Sequence, residues 1–340
     1  MSLPDLPHAF STRHAQPPAD SLDLARQAAR TGPFFVVLNA GSGRHDSDEQ
    51  QRVIAEVFEQ GGRTFEFLLI EDPATINSVA RKAVALATER RGVVVAAGGD
   101  GTINAVAGAV LDSGCAFGVL PQGTFNYFGR THGIPQDTAD AARALLAAQV
   151  SPVQVGDVNG RLFLVNASLG LYPQLLEDRE AWKQQLGRSR FVAFLSGVAT
   201  LLQSGKQLRL QIESQGKVVA LRTPTLFVGN NQLQLSRVGM DDAQVDAVEE
   251  GKLTGIVVRP IGTLALFGLL ARGLLGRLGD AENIDSFSFR TLTVTPRGAR
   301  RIKVATDGEI TWMKTPLVFR VAARSLLLMV PAPADRAEVA

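Results

Sequence analysis

Residues 93–102 read Val-Val-Val-Ala-Ala-Gly-Gly-Asp-Gly-Thr, and this stretch decides the fold. Five apolar residues in a row, Val93–Ala97, leave no polar face, which is the pattern of a strand covered on both sides. The run breaks into Gly98-Gly99-Asp100-Gly101-Thr102 and continues into a helical pattern from about Ile103 to Leu111. Working outward, the same rhythm repeats. Upstream, PFFVVLN (33–39) leads into the glycine loop Asn39-Ala40-Gly41-Ser42-Gly43, and then a helical stretch sets Val53, Ile54, Val57 and Phe58 on one face. RTFEFLLI (63–70) is followed by INSVARKAVALA (76–87), with Val79, Ala83 and Leu86 spaced for burial. Downstream, AFGVLP (116–121) ends in Gln122-Gly123-Thr124-Phe125-Asn126. Strands alternating with helices predict an α/β domain, a doubly wound parallel sheet, over 33–150.

After about Ser151 the period changes. Asn159-Gly160, between GDV and RLFLVN, is a hairpin signal. KQLRLQIE, KVVALRTPTLFVGN, KLTGIVV, FSFRTLTVTP, RRIKVATDGEI and PLVFRVAARSLLLMVP all read as strands, interrupted by helical stretches at about 180–204 and 261–278. The second half therefore predicts a mostly antiparallel β-sandwich. The expected division is a loose arm over 1–32, an α/β domain over 33–150, a β domain over 151–331 and a tail over 332–340.

Composition narrows the classes. The chain of 340 residues carries 35 Lys and Arg against 33 Asp and Glu, a net charge of +2, which gives no support to a general nucleic-acid coat. One cysteine, Cys115, excludes an internal disulfide framework, and His8, His14, His45 and His132 lack zinc-ligand spacing. The longest charge-free apolar stretches, Phe191–Gly205 and Pro260–Ala271, are shorter than the roughly 18–20 residues needed to cross a bilayer. A cytoplasmic protein is expected.

The three glycine loops fall where an open parallel sheet binds ligands, at the carboxyl ends of its strands. Glycine lets successive backbone N–H groups approach an anion, and each following helix adds the positive end of its dipole. Asp100 stands out, because a carboxylate beside phosphate repels it unless a divalent cation intervenes. Together they point to a metal–nucleotide such as Mg-ATP. Taken singly, each loop also reads as a tight strand–helix turn, and Asp100 as a turn or helix-capping residue.

VVVAAGGDGTINAVAGAVL, followed by FGVLPQGTFNYFGRTHGIP, closely resembles the diacylglycerol kinase catalytic family, which includes bacterial soluble lipid kinases and is related to sphingosine and ceramide kinases. The Asn39–Gly43 loop and Asp307-Gly308-Glu309 match its early and late motifs, in order. The resemblance implies ATP-dependent phosphorylation of a lipid alcohol, with ATP and Mg²⁺ bound. It implies nucleotide contacts at Asn39, Ser42, Gly43, Gly98, Gly99, Asp100, Gly101, Thr102, Asn104, Gly123, Thr124 and Asn126. Asp100 would hold the metal, and Glu309, with Asp307 and Asp100, would be catalytic, Glu309 accepting the hydroxyl proton.

The chain departs from the family where acids are usual: Ala105, Tyr127, Gln154 and Thr254 stand there instead. A nucleotide-binding regulator without turnover is therefore one alternative, and phosphorylation of a soluble nucleotide, as in NAD kinases, is another. The apolar stripes Phe191, Phe194, Leu195, Val198, Leu201, Leu202 and Leu264, Phe267, Leu270, Leu274, Leu278 read as core packing, an acyl pocket or an interfacial surface. The expected partners are a lipid substrate and a peripheral contact with the inner membrane surface. Nucleic acid is not expected, and the β-domain sheet edges leave a homodimer open.

Overall fold

The structure, a computed structural model, describes residues 19–40, 44–170, 207–214, 216–237, 240, 242–259 and 284–337. The helical stretches expected at 180–204 and 261–278 lie outside these residues. Two compact units divide the chain, one built on Arg13–Val155 with Ala322–Ala340 and the other on Gly156–Val321.

In the first unit, β1 (Phe34–Asn39), β2 (Phe65–Ile70), β3 (Val93–Gly98) and β4 (Ala116–Pro121) form the expected parallel sheet in the order β2-β1-β3-β4. Every residue of β3 and β4 is buried, as continuous apolar runs require. The helices are α1 (Ala19–Thr31), α2 (Arg44–Gln60), α3 (Ile76–Glu89), α4 (Asp100–Val110), α5 (Tyr127–Thr131) and α6 (Thr138–Leu146). Among them α3 packs on α4, and α2 on α6.

Two sequence expectations need correction here. The sheet does not end at β4: the strand Leu326–Val330 lies parallel beside it, and β5 (Gln149–Val153) runs antiparallel beyond. The chain leaves this unit after Val155 and returns at Ala322, so 322–331 does not belong with the sandwich. Leu326, Leu327, Leu328 and Met329 are all buried, and covering the open edge of β4 is what buries them. The arm is also not loose throughout, because Ala19–Thr31 is a helix that buries Ala25, Ala28 and Ala29. The Arg63 guanidinium closes its end, donating to Ala29 O at 2.9 Å and Gly32 O at 3.0 Å. Such small buried residues make a weak apolar stripe, which is why the segment reads as linker.

The second unit holds two six-stranded antiparallel sheets. Its strands are β6 (Gly156–Val158), β7 (Arg161–Phe163), β8 (Asn166–Gly170), β9 (Leu208–Ser214), β10 (Lys217–Thr223), β11 (Thr225–Gly229), β12 (Leu253–Val258), β13 (Ile284–Phe289), β14 (Thr291–Pro296), β15 (Arg301–Thr306), β16 (Glu309–Lys314) and β17 (Leu317–Val321), leaving β18 for Leu326–Val330. One sheet runs β10-β9-β14-β17-β6-β7 and the other β13-β12-β11-β8-β15-β16. Phe163, Ile212, Val294 and Phe319 of the first meet Leu169, Leu226, Val257 and Phe289 of the second in one core, which makes this the expected sandwich. Asn159 and Gly160 both have positive φ, 51° and 84°, the two-residue hairpin turn their sequence signals. Two helices that periodicity missed, α7 (Gln232–Arg237) and α8 (Asp242–Glu249), bring Leu235 and Val248 against Ile256 of β12. Their six- and eight-residue lengths are too short to show a helical stripe. Among the described residues, no helix is long and apolar enough to cross a membrane.

Candidate active site

The glycine loops after β3 and β4 converge. Gly98 ends β3, Gly99 is the residue before α4, and α4 starts at Asp100. A Cβ placed on Gly123 would lie 3.0 Å from the Gly99 Cα and 2.7 Å from Asn126 Oδ1, so glycine there lets the two loops touch. The Gln122 N–H donates to Gly98 O at 2.9 Å and ties them further. From the end of β1, Asn39 Nδ2 donates to Thr102 Oγ1 at 3.3 Å. Three strand ends therefore meet at the first turn of α4, where unpaired N–H groups and the helix dipole favour an anion. Gly101, Thr102 and Asn104 lie along that turn, Thr102 buried and Asn104 half-buried, while Thr124 is exposed on the β4 loop. Ser42 and Gly43 lie outside the described residues.

Asn126, expected at the nucleotide, is held within its own loop. It is buried and left-handed (φ 48°, ψ 40°), a conformation asparagine tolerates well. Its Oδ1 accepts from Gly123 N at 2.9 Å, and its Nδ2 donates to Gly123 O and to Gln136 Oε1, both at 2.8 Å. Its side chain sews the loop shut. Its backbone N–H donates to Asp100 Oδ2 at 3.1 Å and so orients the carboxylate.

The other oxygen, Asp100 Oδ1, is buried and has no partner among the described residues. Burial raises the Asp100 pKa, opposed by the Asn126 hydrogen bond and the Arg130 charge. A buried carboxylate oxygen without a partner is costly, and such atoms cluster where ligands bind. Gln122 Nε2 and Arg130 Nε are likewise buried and unpartnered among the described residues. An unpartnered acceptor within reach of the Arg130 charge suits a cation and the phosphate it accompanies. Sequence reading missed Gln122 and Arg130. The available signal was Arg130 one helical turn beyond Asn126, whose carbonyl its N–H joins at 2.9 Å.

The donor set fits Mg²⁺ only in part-protein form. Among the described residues no group of three His, Cys, Asp or Glu side chains converges. One carboxylate oxygen, completed by substrate phosphate oxygens and water, is how Mg²⁺ is commonly held beside nucleotides. In the second unit Thr254 is wholly buried in β12, and Asp157 accepts from Arg320 Nε at 2.8 Å.

The late motif lies in the second unit. Asp307 (φ 47°) and Gly308 (φ 89°) form the turn joining β15 to β16. Asp307 accepts three backbone N–H bonds, Leu164 at 2.7 Å and Val165 and Asn166 at 2.9 Å, and its own N–H reaches Asn166 O at 2.9 Å. Both of its oxygens grip the β7–β8 connection. Asp307, expected among the catalytic groups, fixes the turn that carries Glu309. Glu309, its side chain 54% exposed, accepts from Arg161 Nη2 at 2.7 Å, and Arg161 Nε donates to Thr306 Oγ1 at 2.9 Å. Arg161 had no motif to announce it. Away from these groups, a cavity of about 430 Å³ lies at the amino ends of β1, β3 and β4, lined by Leu24, Ala28, Pro33, Arg91, Gly92 and Cys115 among others.

The family of the diacylglycerol kinase catalytic domain matches residues 33–158. A diacylglycerol kinase of Staphylococcus aureus (strain JH9) is 31% identical over 221 residues, 61% of this chain and 68% of the relative. The chain belongs to the diacylglycerol kinase family. It is an ATP-dependent kinase. The diacylglycerol kinase of Bacillus subtilis (strain 168) is 29% identical over 243 residues, 68% of this chain and 78% of its own length. The fold agrees with the crystal structure of a diacylglycerol kinase from Bacillus anthracis (strain Sterne), at TM-score 0.63 and 18% identity, covering 89% of this chain and 98% of that one. A second chain from that organism gives TM-score 0.70 at 21% identity, covering 90% and 97%. The diacylglycerol kinase family match at 33–158 contains the three loops, Asp100 and Arg130, whereas the Asp307–Glu309 hairpin lies beyond it.

Proposed function

We propose that the chain transfers the γ-phosphoryl group of ATP to the hydroxyl of a lipid alcohol, with diacylglycerol as acceptor and phosphatidic acid as product. The observation that supports the nucleotide half is the buried, unpartnered Asp100 oxygen, within the electrostatic reach of Arg130, at the point where the ends of β1, β3 and β4 meet. The loop N–H groups and the start of α4 hold the phosphates, with Asn39, Ser42, Gly43, Thr102, Asn104 and Thr124 around them. Arg130 and Gln122 supply donors to phosphate oxygens, and Asp100 holds Mg²⁺. Bound there, Mg²⁺ neutralises charge on the transferring group.

Phosphoryl transfer needs in-line positioning and charge neutralisation more than covalent help from the protein. The lipid oxygen attacks the γ-phosphorus, the bond from that phosphorus to the ADP oxygen breaks, and the hydroxyl proton passes to Glu309. Arg161 and Thr306 hold Glu309 in one orientation, and Asp307 fixes the turn that carries it. The diacylglycerol half rests on the named relatives.

The test is transfer of label from γ-labelled ATP to diacylglycerol in mixed micelles with Mg²⁺, with NAD as a parallel acceptor. Labelled phosphatidic acid is expected. Label in NAD with none in lipid would assign the chain to soluble-nucleotide phosphorylation instead.

A further inference from the structure

The β15–β16 hairpin carries Glu309 and also has a second, outward face. The pairs Arg301↔Lys314, Lys303↔Trp312 and Ala305↔Ile310 share one side of the sheet. The intervening residues Ile302, Val304 and Met313 pack into the sandwich core. Arg301, Trp312 and Lys314 are exposed, Trp312 to 54%. Lys303 Nζ lies 5.3 Å from the centre of the Trp312 ring. β16 is also the outermost strand of its sheet, so this face borders an open edge.

The sequence around Trp312 is rich in cations. From Arg297 to Lys314 the chain has five Arg and Lys residues and two acids, Asp307 and Glu309. Both acids lie at the turn, where backbone N–H groups and Arg161 engage them. Arg297, Arg300, Arg301 and Lys314 have no acidic partner among the described residues. This concentration stands out in a chain whose overall charge is only +2.

We infer that this face, Trp312 among Arg301, Lys303 and Lys314 with Arg297 and Arg300 alongside, docks on an anionic lipid bilayer. An indole is at home at the headgroup boundary, where its ring meets acyl carbon and its N–H meets water. Lysine and arginine stems lie along apolar surface while their heads reach anionic headgroups. The inference rests on the lipid-acceptor reading above, since such an acceptor resides in a bilayer.

The test uses the full chain and vesicles of phosphatidylcholine, alone or mixed with phosphatidylglycerol, without ATP. A Trp182→Phe background leaves Trp312 as the single indole reporter. Co-sedimentation with mixed vesicles only is expected, with a blue shift of Trp312 emission. Partitioning should fall at least about tenfold in Arg301→Glu/Lys314→Glu. Binding should also be released at about 1 M salt, where charges are screened within about 3 Å. If Trp182→Phe does not fold, co-sedimentation of the otherwise native chain and the charge-reversed variant decides alone. Unchanged partitioning of that variant, or co-sedimentation with unmoved Trp312 emission, overturns the inference. So does an emission shift produced by oligo(dT), or by self-association as protein concentration rises, with none from vesicles. Failure of the parent chain to bind mixed vesicles, with its lipid phosphorylation intact in micelles, overturns this face alone. Vesicle binding without lipid phosphorylation overturns the lipid-kinase reading alone.

Discussion

Arg161 Nη2 donates to Glu309 Oε2 at 2.7 Å, a contact between residues 148 apart in sequence. Thr306, itself buried, holds the same guanidinium through Nε at 2.9 Å, so Arg161 reaches Glu309 from a fixed base. An ion pair this exposed adds little to stability. Its consequence is geometric: it sets where the Glu309 carboxylate points.

Glu309→Gln should lower kcat by about 10²- to 10⁴-fold if Glu309 accepts the hydroxyl proton. Arg161→Met should lower kcat about tenfold, leave KM for ATP within about twofold and barely move the melting temperature. In the double variant the Arg161 change should cost nothing further, because its effect passes through Glu309. Additive losses would show that the two residues act separately.

Asp307→Asn removes an ionised acceptor from three backbone N–H groups and should destabilise the protein by about 1–3 kcal/mol. Melting temperature and kcat should fall together. If turnover vanished with an unchanged melting temperature, Asp307 would belong to the chemistry rather than to the scaffold.

Asp100 predicts a trade of stability against function. Its folded pKa is raised above its ordinary value, chiefly by burial, so the folded state disfavours the charged form. That cost is present at neutral pH and disappears as pH falls through the raised pKa toward the ordinary 3.8. Asp100→Asn should therefore raise the melting temperature at pH 7.5 by about 2–5 °C while activity is lost. The gain should shrink on acidification. A variant no more stable than the parent at pH 7.5 would count against strain at this carboxyl.

His132 packs edge-on against the Phe128 ring, with centroids 4.9 Å apart. Burial first, and the Arg336 charge second, push its pKa down from 6.5 to about 4. As pH falls below 6.5 the unfolded chain takes up a proton that the folded state refuses, so stability is lost between pH 6.5 and about 4. Between pH 7.5 and 5 this one group should cost about 2 kcal/mol. Denaturant unfolding of His132→Gln should show a pH slope smaller by that amount. Equal slopes would mean that His132 protonates freely in the folded state.

Much of the architecture was legible because it is written in short spans. Val93–Ala97 has no polar face, so it had to lie inside a covered sheet, and Asn159-Gly160 and Asp307-Gly308 adopt the turns their residue types favour. The convergence of Gly99 and Gly123 followed from strand ends in a parallel sheet, which lie on one side. The β18 strand was misplaced because an apolar run specifies burial without naming its neighbour. The open edge of β4 chose it, over roughly 200 residues of intervening chain.

By itself the sequence determined most of the strands, the helices α2, α3 and α4, where the glycine turns fall and that Asp100 stands among them. Tertiary structure alone decided what each polar group is for. Asp307 grips the backbone of 164–166, Asn126 closes its own loop, Arg161 holds Glu309, and Asp100 Oδ1 is buried without a described partner. Local conformation follows from steric and periodic preferences within a few residues. Partner choice follows from burial, which removes water and obliges each polar group to find whatever donor or acceptor the fold has brought within reach.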